Sequence, residues 1–144
     1  MRAKGEMYSL AVKAKLLAVL IELVRLNPEA NFTETMNIHD KVLESILHVL
    51  EYIEKNYQED IGIEELIQVA HMSETHLRRK FKEYLNISPA EYINLIRIKK
   101  ACEILERSDD NLSDIALRVG FQTTGTFIRN FKQIVGTVPK EWRR

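Results

Sequence analysis

Apolar residues recur at three- and four-residue spacing along almost the whole chain, and no segment shows the alternating pattern of a β-strand. This spacing predicts an all-α fold. In chain order, the predicted helices cover about residues 8–26, 39–56, 63–70, 74–85, 89–107, 112–119 and 123–135, and a short helical turn follows residue 139. Residues 31–37 are polar and lack periodicity, so we predict a linker that divides the chain into residues 1–37 and 38–144.

Short sequence signals mark several of the predicted helix boundaries. Ser73 is suited to cap the helix that begins at Glu74, because a serine oxygen can accept a bond from a free backbone amide. Pro89 is tolerated at a first helical position, so Ser88-Pro89 is expected to start the long helix of residues 89–107. Gly120 is expected to form a turn.

Two stretches of the chain, 50 residues apart, share their apolar and basic positions. "HLRRKFKEYLNISPAEY" begins at His76 and "TFIRNFKQIVGTVPKEW" begins at Thr126. The matched pairs include Leu77 with Phe127, Arg79 with Arg129, Phe81 with Phe131, Pro89 with Pro139 and Tyr92 with Trp142. Each copy contains a short helix, a tight turn and a second helix, at about residues 63–85 and about 112–135. The repeat therefore predicts two helix-turn-helix subdomains joined by a long linking helix, with an extra N-terminal helix.

Helical geometry separates the residues of each repeated helix into an inward and an outward face. The inward face is predicted to contain Leu77, Phe81 and Tyr84 in the first copy, and Phe127, Phe131 and Ile134 in the second. The outward face is predicted to contain Thr75, Arg78, Arg79 and Lys82, and then Gly125, Ile128, Arg129 and Lys132. Arginine can bind guanine and lysine can bind phosphate, so these faces suit the DNA major groove. A solvated face with scattered salt bridges is the alternative interpretation.

Composition and charge indicate which kind of partner the chain can bind and which metal, disulfide and catalytic sites it lacks. Residues 1–61 carry 7 Lys or Arg against 10 Asp or Glu, a net of −3, and residues 62–144 carry 14 against 11, a net of +3. The repeated helices therefore lie in the basic part of the chain. The single cysteine, Cys102, excludes an intramolecular disulfide and a cysteine-rich zinc site. The four histidines have no metal-ligand spacing, and no catalytic set or phosphate loop is visible, so we expect neither an enzyme nor a bound cofactor.

The stretch from about Leu43 to Arg144 resembles the C-terminal DNA-binding domain of the AraC/XylS family of bacterial transcription regulators. The matching segments are "MSETHLRRKFKEYLNISPAEYI", "RIKKACEIL" and "IALRVGFQTTGTFIRNFKQIVGTVPKEWR". The resemblance implies binding to two successive major-groove segments on one face of double-stranded DNA. By position it implies base contacts from Thr75, Arg78, Arg79, Thr124, Gly125, Ile128 and Arg129. Phosphate contacts are expected from Ser73, Lys82, Lys99, Lys132 and Lys140.

Several residues depart from the family pattern. Gly125 and Ile128 have no hydrogen-bonding side chain where a polar one is usual, so we expect the first unit to make most of the base contacts. Arg129 is then the main anchor of the second unit. Ile67 stands where the family usually has alanine, and Asn86 replaces a usual glycine but tolerates a left-handed helix cap.

The N-terminal segment "GEMYSLAVKAKLLAVLIELVRL" resembles the last helix of the sensor domain that commonly precedes this module. We expect residues 8–26 to form a homodimer contact; the alternative is a helix that folds back to cover its own apolar face. The longest apolar run, Leu16 to Ile21, is far too short to cross a bilayer, so a cytoplasmic protein is expected.

The sequence thus favours a sequence-specific transcription regulator, an activator that contacts RNA polymerase as the resemblance implies. The rival hypothesis is a helical protein-interaction module with only residual affinity for DNA. Salt dependence separates the two, because phosphate contacts make binding weaken steeply as salt is added.

Overall fold

The computed structural model describes residues 35–143, and the side chains of residues 41–143. The helices are α1 (Thr35–Asn56), α2 (Ile63–Ala70), α3 (Glu74–Leu85), α4 (Pro89–Leu105), α5 (Leu112–Arg118), α6 (Thr124–Val135) and α7 (Pro139–Trp142). No strand occurs in residues 35–143, so the predicted all-α class is confirmed. The predicted helix of residues 8–26 and its dimer contact lie outside the described residues.

The predicted capping signals act as expected. Ser73 Oγ accepts a hydrogen bond from the amide of His76 at 3.3 Å and so caps α3. Ser88 forms a capping box with Glu91 at the start of α4, where the Ser88 amide lies 2.6 Å from the Glu91 carboxylate. Asn86 ends α3 in the left-handed conformation with φ 61°. These side chains supply partners for backbone groups that a helix end leaves free.

Two helix boundaries differ from the sequence prediction by two residues or more. α1 includes Thr35, the first described residue, so residues 35–37 are helical and do not belong to the linker. Helix propagation adds one hydrogen bond for each residue, and the propensities of threonine and asparagine are less than about 0.7 kcal/mol worse than that of alanine. A polar segment without periodicity can therefore extend a packed helix. α4 ends at Leu105, two residues before the predicted end, and its 17 residues span about 26 Å.

The described chain contains two apolar cores that share the linking helix α4. The first core contains Ile46, Val49, Leu50, Ile53, Leu66, Ala70, Leu77, Phe81, Leu85, Tyr92, Ile93, Leu95 and Ile96. The second contains Ile98, Ala101, Cys102, Leu105, Ile115, Ala116, Val119, Phe121, Phe127 and Phe131. The N-terminal half of α4 therefore packs in the first unit and its C-terminal half in the second. Cys102 is buried in the second core.

An aromatic pair recurs at equivalent places in the two units. The rings of Phe81 and Tyr92 lie 6.2 Å apart at 76°, and those of Phe131 and Trp142 lie 6.2 Å apart at 72°. Both pairs have the edge-to-face geometry that aromatic side chains prefer. The sequence repeat is thus also a repeat of packing. None of the described helices is long and apolar enough to span a membrane.

Candidate nucleic-acid interface

The first recognition helix, α3, has the predicted inward and outward faces. Leu77 and Phe81 are fully buried, and Tyr84 is half-buried beside the same core. On the opposite side, the exposed residues are Thr75, Arg78, Arg79 and Lys82. Burial of one face leaves this basic face available to solvent.

The three adjacent cations of α3 differ in their partners. Arg78 Nε lies 2.8 Å from a carboxylate oxygen of Glu74, and Lys80 Nζ lies 2.8 Å from that of Glu83. Lys80 also lies over the ring of Tyr84 at 5.5 Å, and its side chain is only 13% exposed. Arg79 is exposed and forms no hydrogen bond or ion pair within the described part of the chain. A ligand can therefore engage Arg79 without breaking an existing contact.

The second recognition helix, α6, carries fewer cations on its outer face. Arg129 and Lys132 are exposed, and neither is paired with another residue in the described ranges. Gly125 is exposed, and a Cβ atom added there would have no neighbour within 4 Å. The start of α6 thus presents bare backbone to solvent, with Arg129 one helical turn further along.

The structure corrects the predicted position of Ile128 and adds a constraint on Thr124. Ile128 is half-buried and packs against the second core, so it does not project fully outward. The apolar stripe of a packed helix is at least about 100° wide, and Ile128 lies at the edge of that stripe beside Phe127. Thr124 is also half-buried, and its hydroxyl lies 3.2 Å from the Ser113 hydroxyl on α5.

The predicted phosphate-binding residues are spread over four elements. Ser73 and Lys82 lie at the two ends of α3, where Lys82 Nζ donates to the Asn86 carbonyl at 2.9 Å. Lys132 lies on α6, Lys140 on α7 and Lys99 on α4; the first two are exposed and Lys99 is half-buried. Arg143, near the end of the chain, donates to the Asp110 carbonyl, which connects it to the loop before α5.

Arg97 was not identified from the sequence as a residue of interest. Arg97 lies on α4 between two buried isoleucines, and its half-buried guanidinium donates hydrogen bonds to two backbone carbonyls of the loop after α1. Desolvation lowers the pKa of Arg97 and the nearby Asp60 opposes that shift. A charged residue inside an apolar stretch is the signal that could have identified it. Among residues with described side chains, no cluster of His, Cys, Asp or Glu is arranged to hold a metal ion.

Comparison with known proteins identifies the module. A family model described as a helix-turn-helix domain matches residues 66–144. An uncharacterized HTH-type transcriptional regulator of Staphylococcus aureus is 30% identical over 139 residues, which cover 96% of this chain and 18% of the relative. The lactose operon transcription activator of Staphylococcus xylosus is 33% identical over 104 residues, 72% of this chain and 37% of that protein. The chain thus spans about a fifth of the length of the S. aureus relative.

Solved structures match the described fold. The C-terminal domain of AraT, a response regulator from Geobacillus stearothermophilus, is 31% identical with a TM-score of 0.65, covering 69% of this chain and 84% of that one. A probable AraC family transcriptional regulator from Rhodopseudomonas palustris is 26% identical with a TM-score of 0.65, covering 69% and 94%. The DNA-binding domain of AdpA, solved with a target DNA, is 24% identical with a TM-score of 0.65, covering 69% and 89%, and shows the fold alone.

These matches also agree with the expectation that the chain is not an enzyme, since the matched proteins named above are regulators of transcription. The match of the helix-turn-helix model to more than half of the chain, together with the duplicated packing of the two units, establishes the family. The chain belongs to the AraC/XylS family of DNA-binding transcription regulators with a helix-turn-helix domain.

Proposed function

We propose that the chain recognises a specific DNA sequence by inserting α3 and α6 into two successive segments of the major groove. The observation that carries this proposal is the pair formed by Arg79 and Arg129. The two arginines are related by the sequence repeat, both are exposed, and neither is paired with another residue within the described ranges. Such a guanidinium can donate two hydrogen bonds to O6 and N7 of guanine.

The contacts are unequal in the proposed complex. On α3, Arg79 and Arg78 contact base edges, and Thr75 contacts a base one turn closer to the helix start. On α6, Arg129 is the main anchor, Gly125 allows the backbone to approach the DNA closely, and Ile128 offers only the edge of its side chain. The Thr124 hydroxyl can accept a bond from a base while it stays against Ser113. The first unit therefore contributes most of the sequence preference.

Phosphate contacts fix the orientation of the two helices on the duplex in this proposal. Ser73, Lys82, Lys99, Lys132 and Lys140 make these contacts, which depend on charge and not on sequence. The 26 Å length of α4 supports the proposed spacing, because successive major-groove segments on one DNA face lie about 34 Å apart.

The proposal includes activation of transcription through contact with RNA polymerase, inside the bacterial cytoplasm at the nucleoid. The name of the S. xylosus relative, a lactose operon transcription activator, supports activation. The DNA-binding part is proposed to include the whole of α1, from Thr35 and not from residue 38, and residues 8–26 are proposed as a separate part that provides a homodimer contact.

Selection of bound DNA from a random-sequence pool tests the proposed function. Wild-type protein is expected to enrich a motif of two blocks about one helical turn apart. A double variant, Arg79→Ala with Arg129→Ala, serves as the control, because both side chains are exposed and their removal leaves the cores intact. Titration of the selected duplex at increasing salt is expected to show a linear fall of log affinity with log salt.

Absence of any enriched motif at low salt would contradict the proposal. The protein-interaction module would then be favoured, and the basic face of α3 would be a solvated surface. Equal enrichment by wild type and the double variant would also contradict it, since the base contacts would then come from other residues.

A further inference from the structure

Arg97 joins the linking helix to the loop that follows α1. Its Nε atom donates to the Tyr57 carbonyl at 2.7 Å, and its Nη2 atom donates to the Glu59 carbonyl at 2.7 Å. The planar guanidinium holds its donors in a fixed fork, so two simultaneous bonds define the position of the loop. This loop belongs to the first unit, between α1 and α2.

The same loop touches the turn of the second unit. A Cβ atom added to Gly120 would lie 2.6 Å from the Tyr57 carbonyl oxygen and 2.9 Å from Arg97 Nε. Gly120 has φ +93°, so both its backbone conformation and its surroundings exclude other residues. The Arg97 guanidinium also lies 5.6 Å from the centre of the Phe121 ring, in the same turn. Arg97 therefore contacts both units at once.

This junction lies where the two cores meet: Phe121 belongs to the second core, and the Tyr57 side chain packs against both cores. Each core contains its own aromatic pair, and the cores divide within α4 between Ile96 and Ile98. Arg97 is the residue between those two isoleucines. Rotation or bending of one unit against the other would separate the Tyr57 carbonyl from Gly120 and the Arg97 guanidinium from Phe121. The contact thus constrains the relative orientation of α3 and α6 without belonging to either helix.

We propose that Arg97 is a positioning residue that sets the spacing of DNA blocks which the two recognition helices can bind together. The inference rests on the proposed function, since it concerns how the two units bind DNA jointly. A rigid junction makes one block spacing strongly preferred. A loosened junction allows neighbouring spacings at similar affinity, although the contacts within each block are unchanged.

Duplexes with altered spacing test this role. One base pair added between the two blocks of the selected motif moves the second block by about 3.4 Å and rotates it by about 34°. Wild-type protein is expected to bind the lengthened duplex at least roughly tenfold more weakly than the original, which is the cost of about one mismatched base pair. Arg97→Ala is expected to reduce that ratio to less than about threefold, and to bind the original duplex more weakly than wild type does.

Two further variants distinguish a role of Arg97 in positioning the two units from a general contribution to the stability of the fold. Arg97→Lys keeps the charge and most of the apolar stem but loses the fork, so it is expected to relax the spacing preference even if Arg97→Ala fails to fold. Arg107→Ala, an exposed arginine just beyond the same helix, is the matched control and should keep the wild-type ratio. A folded Arg97 variant that loses affinity equally on both duplexes would overturn the inference, because the residue would then be merely structural.

A measurement without DNA keeps this inference separate from the proposed function. Spin labels at Gln68→Cys on α2 and Lys140→Cys on α7 report the distance between the two units, and Cys102 is shielded by burial. Arg97→Lys is expected to broaden the distance distribution relative to wild type. An unchanged distribution would overturn the role of Arg97. Failure of wild type to select two blocks, with a broadened distribution in the variant, would count against the proposed function alone.

Discussion

Arg78 and Glu74 form an ion pair one helical turn apart on α3, with 2.8 Å between Arg78 Nε and the carboxylate. The neighbouring Arg79 has no such pair within the described residues, although it projects from the same face. Exposed pairs at this spacing contribute only about 0.3–0.5 kcal/mol. Glu74 can therefore release Arg78 to a base at small cost, while its own charge opposes the approach of DNA phosphates.

Neutralising Glu74 is predicted to strengthen DNA binding. Glu74→Gln frees Arg78 and removes a negative charge from the proposed interface, so affinity for the selected duplex should rise roughly two- to threefold at low salt. Fluorescence anisotropy titrations measure the change. Glu106→Gln, an exposed glutamate just beyond the linking helix, is the control and should change affinity little. Weaker binding by Glu74→Gln would mean that the ion pair holds Arg78 in its binding conformation.

Phe81→Ala is predicted to destabilise the fold by about 3–5 kcal/mol, because Phe81 is fully buried against Tyr92. Phe131→Ala, its counterpart in the second unit, should lose a similar amount. Denaturant unfolding followed by circular dichroism gives both values. Ile128→Ala, at the half-buried edge of α6, should lose less than either. A Phe81→Ala protein as stable as wild type would show that the inward face of α3 is wrongly assigned.

Two glycines of the second unit are predicted to respond in opposite directions to alanine. Gly120→Ala introduces a positive-φ alanine whose Cβ meets the Tyr57 carbonyl, and should destabilise the protein by roughly 2–4 kcal/mol. Gly125→Ala fills open space on a helix and should stabilise it by about 0.5 kcal/mol. The melting temperatures of the two variants decide this prediction.

The same Gly125→Ala variant tests whether the start of α6 approaches DNA closely. A methyl group at a close backbone contact should weaken DNA binding although the free protein is more stable. Binding equal to wild type would place Gly125 away from the DNA.

The capping box of α4 is predicted to add a pH-dependent part to stability. Hydrogen bonds from the Ser88 backbone and side chain hold the pKa of Glu91 below its ordinary value of 4.5. Because the folded-state pKa is the lower one, this stabilisation is present above about pH 4.5 and is lost as pH falls through the folded-state pKa. The stability difference between wild type and Glu91→Gln should therefore shrink below pH 4.5. A difference that stays constant down to pH 3 would contradict this prediction.

Local sequence patterns predict most of this fold, because the start of a helix and its buried face depend mainly on residues within a few positions of each other. The starts of α3 and α4 follow from Ser73 and from Ser88-Pro89, and the same hydrogen bonds cap the helices in the structure. The repeat extended this reasoning to two units, since the Phe81 and Phe131 pairs occupy equivalent places. Local signals define a boundary less well where a helix extends by propagation, as at Thr35.

The candidate interface was predicted less completely. The depth to which a side chain is buried, and its contacts with residues far away in the sequence, cannot be found from the spacing of nearby residues. Helical spacing placed Ile128 on the outer face but could not show how far the second core reaches around α6. The fork of Arg97 depends on a loop 40 residues earlier, which no spacing rule relates to α4. The three adjacent cations of α3 look alike in the sequence, and only the structure shows the 2.8 Å pair of Lys80 with Glu83.

The central claim is that α3 and α6 each recognise one block of the DNA sequence. The most direct test is to measure how two single arginine variants bind duplexes that are altered in one block. The selected duplex is altered in either block, and each form is titrated with wild type, Arg79→Ala and Arg129→Ala. Arg79→Ala is predicted to lose discrimination, about 1–3 kcal/mol, in one block only, and Arg129→Ala in the other block only. If both variants instead weaken binding equally to every duplex, the two arginines contact phosphates or solvent, and the two-unit recognition of sequence is wrong.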